Sequence, residues 1–325
     1  MKKINIGILG TSEIAFRRFI PSLLCCDFMK YIGVASRTIE QTEKFVQSFG
    51  GKGYGSYEDL LRDKEIDAVY IPLPPALHYT WAKLAIQSRK HVLVEKPFTT
   101  NLKDAQELIR LSQEYNVAIF ENYMFQYHPQ IREIKEAILC GEIGEIRLIR
   151  SAFGFPLREP TDFRYNAELG GGALLDAGGY VAKLATIMLG KTIKVDCAML
   201  KKPDDYEVDM YGNVTFSNGQ GVVFQGAFGM DCYYQCNLEV WGTRGKLVTD
   251  RIYTAPADYT PVAMIQTSNE QKVQQFSKGN HFIGAIKMFY ESIKNDNIRK
   301  DIILQIEKQM ELVDDIRKEA EKNYD

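Results

Sequence analysis

The fold of this chain is decided by the stretch Ile4-Asn-Ile-Gly-Ile-Leu-Gly10-Thr-Ser-Glu-Ile-Ala15. Its apolar half predicts a buried strand. Gly10 and Ala15 match the tight turn and the small helix residue of the dinucleotide-binding fingerprint G-x-G-x-x-G/A. Ser12 replaces the middle glycine, which weakens the match, although its hydroxyl can donate to a phosphate. The stretch therefore predicts a strand, a glycine turn and a helix that bind a dinucleotide.

Short apolar runs alternate with helical patterns over the first part of the chain. We expect strands at residues 4–9, 31–35, 68–71, 91–94 and 117–120, and helices that start near residues 12, 38, 56, 77 and 101. Continuous Val/Ile-rich strands separated by helices imply a parallel sheet with both faces covered. Residues 1–123 are therefore predicted to form a dinucleotide-binding Rossmann domain of the doubly wound α/β class.

The pattern changes after residue 123. We expect a helix to about residue 140, a strand at 146–153, a helix at about 173–189, strands of alternating polarity over 193–276, and helices at about 280–295 and 299–322. Such alternation is typical of an antiparallel sheet with one face open to a partner. Residues 124–325 are predicted to form an α+β domain with a large, mainly antiparallel open sheet, which binds substrate and joins subunits into a homodimer or homotetramer.

Composition argues against several classes of function. Hydrophobic residues make up 45% and charged residues 25% of the 325 residues, and the formal net charge is −2. These values are typical of a globular protein and offer no basic surface for nucleic acid. The six cysteines show no CxxC pair and no zinc-site spacing, so we expect free thiols and no metal. No run approaches the roughly 18 apolar residues of a membrane span, so we expect a cytoplasmic protein without a membrane partner.

The end of the second predicted strand bears on the choice of dinucleotide. Ser36 and Arg37 stand where an acidic residue would bind the ribose 2′-hydroxyl of NAD, and an arginine there suits the 2′-phosphate of NADP. The alternative is a helix N-cap at Ser36 or Thr38 with a solvated Arg37, which is compatible with phosphate binding. The sequence therefore favours NADP(H) over NAD(H).

Five motifs resemble the family of glucose-fructose oxidoreductase and inositol dehydrogenase (Gfo/Idh/MocA). They follow the family's order and spacing over residues 7–180. The motifs are the glycine turn ending Glu13-Ile14-Ala15, Ile71-Pro72-Leu73-Pro74, Glu95-Lys96-Pro97, the segment from Met124 to Gln130, and Gly170-Gly171-Gly172-Ala173-Leu174-Leu175-Asp176-Ala177-Gly178-Gly179-Tyr180. Phe163-Arg164 and the tyrosine at position 180 are most similar to bacterial NADP-dependent ketoreductases that act on nucleotide-linked deoxysugars.

The resemblance implies a cofactor site and a substrate site. The residues expected at the cofactor are Gly10, Thr11, Ser12, Glu13, Ile14, Ser36, Arg37, Pro72, Leu73, His78, Glu95, Lys96 and Arg164. Those expected at the substrate are Tyr123, Gln126, His128, Tyr165 and Asp176. Two departures bear on substrate identity more than on reaction class: Gln126 stands where related ketoreductases often carry arginine, and Pro75 where a polar residue is common.

Lys96, Tyr180 and Asp176 form the predicted catalytic set. Hydride delivery to a ketone leaves an alkoxide that needs a proton, and a tyrosine beside a lysine cation can supply it. Asp176 and Tyr180 are four residues apart on one predicted helix, so their side chains share a face. We expect Tyr180 to donate the proton, Lys96 to stabilise charge, and Asp176 to fix substrate hydroxyls or Lys96. Singly, each residue also has an ordinary structural explanation, such as a strand end or a helix-dipole contact.

These features predict an NADP(H)-dependent oxidoreductase that reduces a keto group on a sugar, in particular on a dTDP-linked keto-deoxyhexose. Two alternatives stay open. The same residues could serve an NAD(P)-dependent dehydrogenase that oxidises a free sugar, an inositol or a diol. A non-catalytic NADP-binding regulator would keep the glycine turn but would have no use for Lys96 with Tyr180.

Overall fold

The structure is a computed structural model that describes residues 3–190 and 192–322, and the chain divides into two compact units. The first unit comprises Met1–Asn122 and Phe282–Met310, and the second comprises Tyr123–His281 and Glu311–Asp325. The predicted division, 1–123 and 124–325, differs from these units at residue 123 and in residues 282–310. That segment packs on the first unit, where the ring of Phe289 lies 5.8 Å from that of Phe120. The local hydrophobic periodicity of a sequence does not show that a late segment packs on a unit formed by the start of the chain.

The first unit contains a six-stranded parallel sheet in the order β3-β2-β1-β4-β5-β6. Both the order and the parallel pairing are those of a doubly wound dinucleotide-binding fold, which confirms the predicted class. The short strand β3 has no counterpart among the predicted strands. The strands are β1 (Ile4–Leu9), β2 (Met29–Ala35), β3 (Lys52–Tyr54), β4 (Ala68–Ile71), β5 (His91–Glu95) and β6 (Ile119–Asn122).

Helices connect these strands, and polar caps set where two of them begin. Ser56 accepts a hydrogen bond from the amide of Asp59 at 3.1 Å, and Asn101 accepts one from that of Asp104 at 2.9 Å. After β1 the chain forms a π-helical turn, Ala15–Phe19, that continues into a short α-helix. The α-helices are α1 (Ile20–Leu24), α2 (Glu43–Phe49), α3 (Tyr57–Arg62), α4 (His78–Gln87) and α5 (Leu102–Glu114).

The second unit is built on an eight-stranded sheet in the order β14-β13-β12-β11-β7-β10-β9-β8. Every neighbouring pair is antiparallel except β7 with β10, which confirms the predicted mainly antiparallel sheet. The strands are β7 (Ile146–Gly154), β8 (Lys194–Lys201), β9 (Tyr211–Ser217), β10 (Val223–Gly229), β11 (Gln235–Gly242), β12 (Gly245–Asp250), β13 (Val262–Thr267) and β14 (Gln271–Gln275). The remaining helices are α6 (Pro129–Leu139), α7 (Gly179–Leu189), α8 (His281–Lys294) and α9 (Asp296–Glu321).

Helix α7 packs closely against the sheet of the second unit. A π-helical turn, Leu174–Gly178, leads directly into it. A Cβ atom on Gly226 of β10 would lie 2.1 Å from Cγ1 of Val181, so the glycine allows the helix to approach the strand. The opposite face of the sheet exposes Trp241, Met264 and Val273. One face of this sheet is therefore part of the core, and the other carries exposed apolar side chains.

One stretch, Ala167–Leu189, is long and apolar enough to span a membrane by length and composition. It is not an unbroken apolar run, since Asp176 and Lys183 lie within it. However, 78% of its most apolar window is buried inside the structure. Core helices meet the same criterion, and the packing of α7 on the sheet explains the apolar composition here.

Candidate active site

The glycine turn has the conformation that its sequence predicts. Gly10 has a φ of +119°, and its amide donates to the carbonyl of Ala35 at 2.9 Å. A Cβ atom at this position would lie 2.7 Å from Cδ2 of Leu73. Ser12, which replaces the middle glycine, accepts a hydrogen bond from the amide of Ala15 at 3.3 Å. Gly10 thus permits a close backbone approach, and Ser12 stabilises the start of the following helical turn.

The end of β2 brings polar groups to the carboxyl edge of the sheet. The hydroxyl of Ser36 is buried and donates to Oε1 of Gln41 at 2.7 Å, and it lies 3.4 Å from that of Thr11. Arg37 is exposed. Ser36 thus donates its proton to Gln41, and contact of the exposed Arg37 with a 2′-phosphate stays a prediction. An arginine here, with no acidic residue at positions 36 and 37, fits NADP better than NAD.

Other residues predicted at the cofactor make contacts of their own. Glu13 forms exposed ion pairs with Arg17 at 2.6 Å and Lys44 at 3.7 Å. Such exposed pairs contribute little to stability. Pro75 begins the turn that precedes α4, a position that suits proline because its missing N–H has no helical partner there. Contacts of Glu13, Ile14 and Pro72 with a cofactor stay predictions.

The segment from Glu95 to Phe98 is held on both sides of Lys96. Glu95 Oε1 accepts hydrogen bonds from the hydroxyl of Tyr70 at 2.5 Å and from Nδ2 of Asn122 at 2.6 Å. Burial raises the pKa of Glu95, and these hydrogen bonds oppose the rise. The amide of Phe98 donates to Glu121 at 2.9 Å. The backbone that carries Lys96 therefore has defined hydrogen-bonding partners before and after it.

His78, the first residue of α4, lies between two loops of the first unit. It is fully buried, with Nδ1 2.7 Å from the carbonyl oxygen of Pro97 and Nε2 2.7 Å from that of Leu73. Only an imidazolium could donate to both carbonyls at once, but burial is the larger effect and lowers the pKa of His78 to about 4. The charge of Lys96 acts in the same direction. At neutral pH the ring is therefore neutral.

In the second unit the triple glycine allows close packing of backbone around the start of a helix. A Cβ on Gly171 would lie 2.3 Å from the carbonyl oxygen of Arg164. Gly172 has a φ of +114°, and a Cβ there would lie 2.5 Å from Oδ1 of Asp209. Its amide donates to the carbonyl of Arg164 at 2.9 Å. These glycines thus bring the loop of Arg164 and the carboxylate of Asp209 against the helix that carries the predicted catalytic residues.

Asp209 caps that helix, and the sequence analysis missed it. Its carboxylate accepts from the amide of Leu174 at 2.6 Å, and its carbonyl accepts from the amide of Ala173 at 2.7 Å. Burial raises the pKa of Asp209, and the hydrogen bond from Leu174 and the charge of Arg317 oppose the rise. Asp209 lies 35 positions beyond Leu174 in a loop with no motif. The sequence therefore offered no signal for its contact with this helix.

Arg164 and Asp176, which the sequence predicts separately, form a buried ion pair. Nε of Arg164 lies 2.8 Å from Oδ2 of Asp176, with 19% and 12% of the side chains exposed. Asp162 is a second partner at 3.1 Å. Burial lowers the pKa of Arg164, but the two carboxylates outweigh it, so the pKa is raised. Part of the charge of Asp176 is therefore compensated within its own unit.

Tyr180 is buried on the same helix, one turn after Asp176. Its hydroxyl donates to Sδ of Met124 at 3.6 Å. Aromatic rings fix its orientation, since the centroids of Tyr123 and Phe153 each lie 5.1 Å from that of Tyr180. A thioether is a weak acceptor, so a substrate oxygen could displace Met124 at little cost. The phenol is thus well oriented and only weakly engaged by this sulfur atom.

The other predicted substrate residues make local contacts. His128 accepts from the amide of Gln130 at 3.2 Å and so caps α6. The hydroxyl of Tyr165 accepts from the amide of Arg158 at 2.7 Å. Gln126 donates to the carbonyl of Tyr123 at 3.2 Å. Their roles at a substrate stay predictions. Within residues 3–190 and 192–322, no group of three or more His, Cys, Asp or Glu side chains is arranged to hold a metal ion.

Family models match both units. Residues 4–123 match the oxidoreductase family with an NAD-binding Rossmann fold, GFO/IDH/MocA, and residues 131–248 match the GFO/IDH/MocA C-terminal domain. The chain belongs to the GFO/IDH/MocA oxidoreductase family. The resemblance found in the sequence motifs is thereby confirmed.

Several individual proteins are similar to this chain over most or part of its length. The chain is 35% identical to dTDP-3,4-didehydro-2,6-dideoxy-alpha-D-glucose 3-reductase of Actinomadura kijaniata, over 99% of this chain and 97% of that protein. A solved point variant of a 3-ketoreductase from that organism, in complex with TDP-benzene and NADP, has a TM-score of 0.95 at 34% identity and covers 98% of both chains. Similarity to D-xylose 1-dehydrogenase (NADP(+)) 2 of Haloferax volcanii, at 33% identity, extends over 58% of each protein.

The pKa of His78 predicts a loss of stability in mild acid. Between about pH 6.5 and pH 4 the unfolded histidine binds a proton that the native ring does not, so the free energy of unfolding falls as the pH falls. We expect His78 to account for a loss of about 2 kcal/mol between pH 7 and pH 5, measured by urea unfolding. Burial also lowers the pKa of His91 to about 4, so His78→Gln should reduce the pH dependence without abolishing it. A pH dependence equal to that of the parent would contradict this assignment.

The cap at Asp209 gives a second prediction. Asp209→Ala removes the acceptor for the amide of Leu174 and should lower the free energy of unfolding by about 1–3 kcal/mol. Asp209→Asn keeps an acceptor oxygen for the amide of Leu174, so its free energy of unfolding should fall by less. Urea unfolding of both variants beside the parent measures the difference. Equal losses in the two variants would show that the acceptor oxygen is not what matters.

Proposed function

We propose that the protein uses NADPH to reduce a keto group on a nucleotide-linked sugar, in particular the 3-keto group of a dTDP-linked deoxyhexose. The main support is similarity over the whole chain to a reductase of that name, together with a solved relative that holds NADP and a TDP ligand. Each unit contributes features that the reaction requires. The first supplies a glycine turn, Arg37 and Lys96, and the second supplies Tyr180 with the pair formed by Arg164 and Asp176.

The cofactor residues of the first unit fit NADPH. Gly10, with its positive φ, provides the tight turn at which the pyrophosphate is proposed to bind, and Arg37 provides a cation for the 2′-phosphate. The nicotinamide supplies a hydride when it is bound. Lys96 is proposed to stabilise the negative charge that develops on the substrate oxygen, because a cation placed where charge develops lowers the barrier.

Tyr180 is proposed to supply the proton. Reduction of a ketone to an alcohol needs one hydride and one proton, and a buried phenol with a weak sulfur acceptor is suited to donate that proton to an oxygen. Asp176, oriented by Arg164, is proposed to accept hydrogen bonds from sugar hydroxyls. Tyr123, Gln126, His128 and Tyr165 are proposed to line the rest of the substrate site.

The catalytic assignment predicts how two variants behave. With NADPH and dTDP-linked 3-keto-deoxyhexoses, the parent should oxidise NADPH, as measured by absorbance. Lys96→Ala and Tyr180→Phe should each lower kcat at least about a hundredfold, because each removes a group that acts on the reacting oxygen. Both variants should still bind NADPH, since both keep Gly10 and Arg37. Unchanged turnover in either variant would reject its assigned role.

Cofactor choice can be tested separately by measuring the Kd of each dinucleotide. The parent should bind NADPH more tightly than NADH. Arg37→Ala should weaken NADPH binding about tenfold or more, because it removes the cation at the 2′-phosphate, and should leave NADH binding nearly unchanged. Lys30→Ala serves as the control for a general change of charge, because Lys30 is an exposed lysine of β2, the strand that precedes Arg37. Tighter binding of NADH by the parent would overturn the preference.

A dehydrogenase that oxidises a free sugar is the second candidate. The partial similarity to D-xylose 1-dehydrogenase (NADP(+)) 2 supports it, and the same catalytic residues serve both directions. Reduction of NADP by free sugars, without consumption of NADPH by dTDP-linked keto sugars, would favour this candidate. Binding of NADPH without turnover of any substrate would favour a regulator instead.

Subunit pairing through the outer face of the eight-stranded sheet is a further proposal. Trp241, Met264 and Val273 lie on this face and are 38%, 39% and 64% exposed. We expect a homodimer or homotetramer in sedimentation experiments, and Met264→Glu should shift it toward monomer because it places a charge in an apolar contact. Leu139→Glu is the control, since Leu139 is 80% exposed on α6. A parent that sediments as a monomer would refute the pairing.

The six cysteines bear on localisation. All are free thiols in the structure. Free thiols are typical of a reducing compartment, and NADPH-dependent reduction suits the same environment. We therefore propose that the protein works in the cytoplasm.

A further inference from the structure

His78 links two loops at the carboxyl edge of the parallel sheet. Its Nδ1 lies 2.7 Å from the carbonyl oxygen of Pro97, in the loop after β5, and its Nε2 lies 2.7 Å from that of Leu73, in the loop after β4. In a doubly wound fold these loops lie at the edge where cofactors bind. One buried ring thus contacts the backbone of both.

Each of these loops carries a residue of the proposed site. Pro97 directly follows Lys96. The side chain of Leu73 lies next to the glycine turn, since a Cβ atom on Gly10 would be 2.7 Å from Cδ2 of Leu73. A continuous series of contacts therefore runs from Gly10 through Leu73 and His78 to the residue that follows Lys96.

The buried position of His78 points to an indirect role. The side chain is fully buried, and both ring nitrogens face backbone carbonyls of its own unit. A neutral ring carries one N–H, so it donates to one of the two carbonyls at a time. An influence of His78 on cofactor or substrate would therefore pass through the loops of Leu73 and Pro97.

We propose that His78 is a positioning residue that holds the loop of Lys96 and the loop of Leu73 in register with each other. The inference rests on the proposed function, in which Lys96 acts on the reacting oxygen and the turn at Gly10 binds NADPH. Displacement of a catalytic group by about 1 Å can lower the rate a hundredfold. The Nδ1 contact thus governs kcat, and the Nε2 contact governs cofactor affinity.

Two substitutions separate these contacts. The amide of an asparagine reaches about as far as Nδ1 of histidine, and that of a glutamine about as far as Nε2. His78→Asn should therefore keep a donor within reach of the Pro97 carbonyl and offer none to that of Leu73, so that the Kd for NADPH rises about tenfold while kcat stays within about twofold. His78→Gln should keep a donor within reach of the Leu73 carbonyl and show the reverse, a kcat about tenfold lower with a nearly unchanged Kd.

His91→Asn is the matched control. His91 is a second largely buried histidine of the first unit, and it accepts a hydrogen bond from the amide of Ala118 at 2.9 Å, at the start of β5 rather than at its end. An asparagine here can still accept from Ala118, so His91→Asn removes mainly the packing of the ring; it should lower stability and leave both Kd and kcat near the parent values.

The experiment measures the Kd for NADPH by fluorescence titration, kcat at saturating NADPH with a dTDP-linked keto sugar, and the Tm of each variant. Opposite effects of His78→Asn and His78→Gln on Kd and kcat support the proposal. Parallel losses in the two variants, or a lowered Tm with unchanged Kd and kcat, overturn it. A parent that binds no NADPH refutes the proposed function as well, whereas an active parent whose variants fail to separate refutes the role of His78 alone.

Discussion

Hydrogen bonds at the carboxyl edge of the parallel sheet hold the segment from Glu95 to Phe98, and the position proposed for Lys96 at the cofactor depends on them. Glu95 is held by Tyr70 and Asn122, Pro97 faces His78, and Phe98 donates to Glu121. Most of these partners are buried, where a lost hydrogen bond leaves a desolvated polar group. A segment held in this way gives the backbone of Lys96 a defined position.

In the second unit, close packing at glycine residues fixes the position of the helix that carries Asp176 and Tyr180. Close packing at Gly171 and Gly172 brings Asp209 and the loop of Arg164 onto the start of the helix that carries Asp176 and Tyr180. The amides of Ala173 and Leu174 at this helix end donate to Asp209, and the triple glycine allows that close packing inside the unit. Substitution of these glycines would displace the helix, which makes the motif a structural requirement for the position of the proposed catalytic residues.

Both sheets were predictable because hydrophobic periodicity reports directly on secondary structure. Buried parallel strands gave continuous Val/Ile runs, and the half-exposed strands of the second sheet gave alternation. The prediction missed β3, which has only three residues with two glycine neighbours and a weak pattern. It also assigned residues 282–310 to the second domain, since contacts such as that of Phe289 with Phe120 join residues far apart in the chain.

By itself the sequence determined the fold class, the glycine turn, the family and the positions of Lys96, Asp176 and Tyr180, because those features are local patterns of residue type and spacing. Only the tertiary structure decided what those residues contact. Asp209 has no motif and lies far along the chain from the helix it caps, and the ion pair of Arg164 with Asp176 depends on a loop that folds back at the glycines. The buried bridge of His78 likewise depends on two loops that meet only when the parallel strands align. Contacts between segments distant in sequence follow from packing, which no local pattern records.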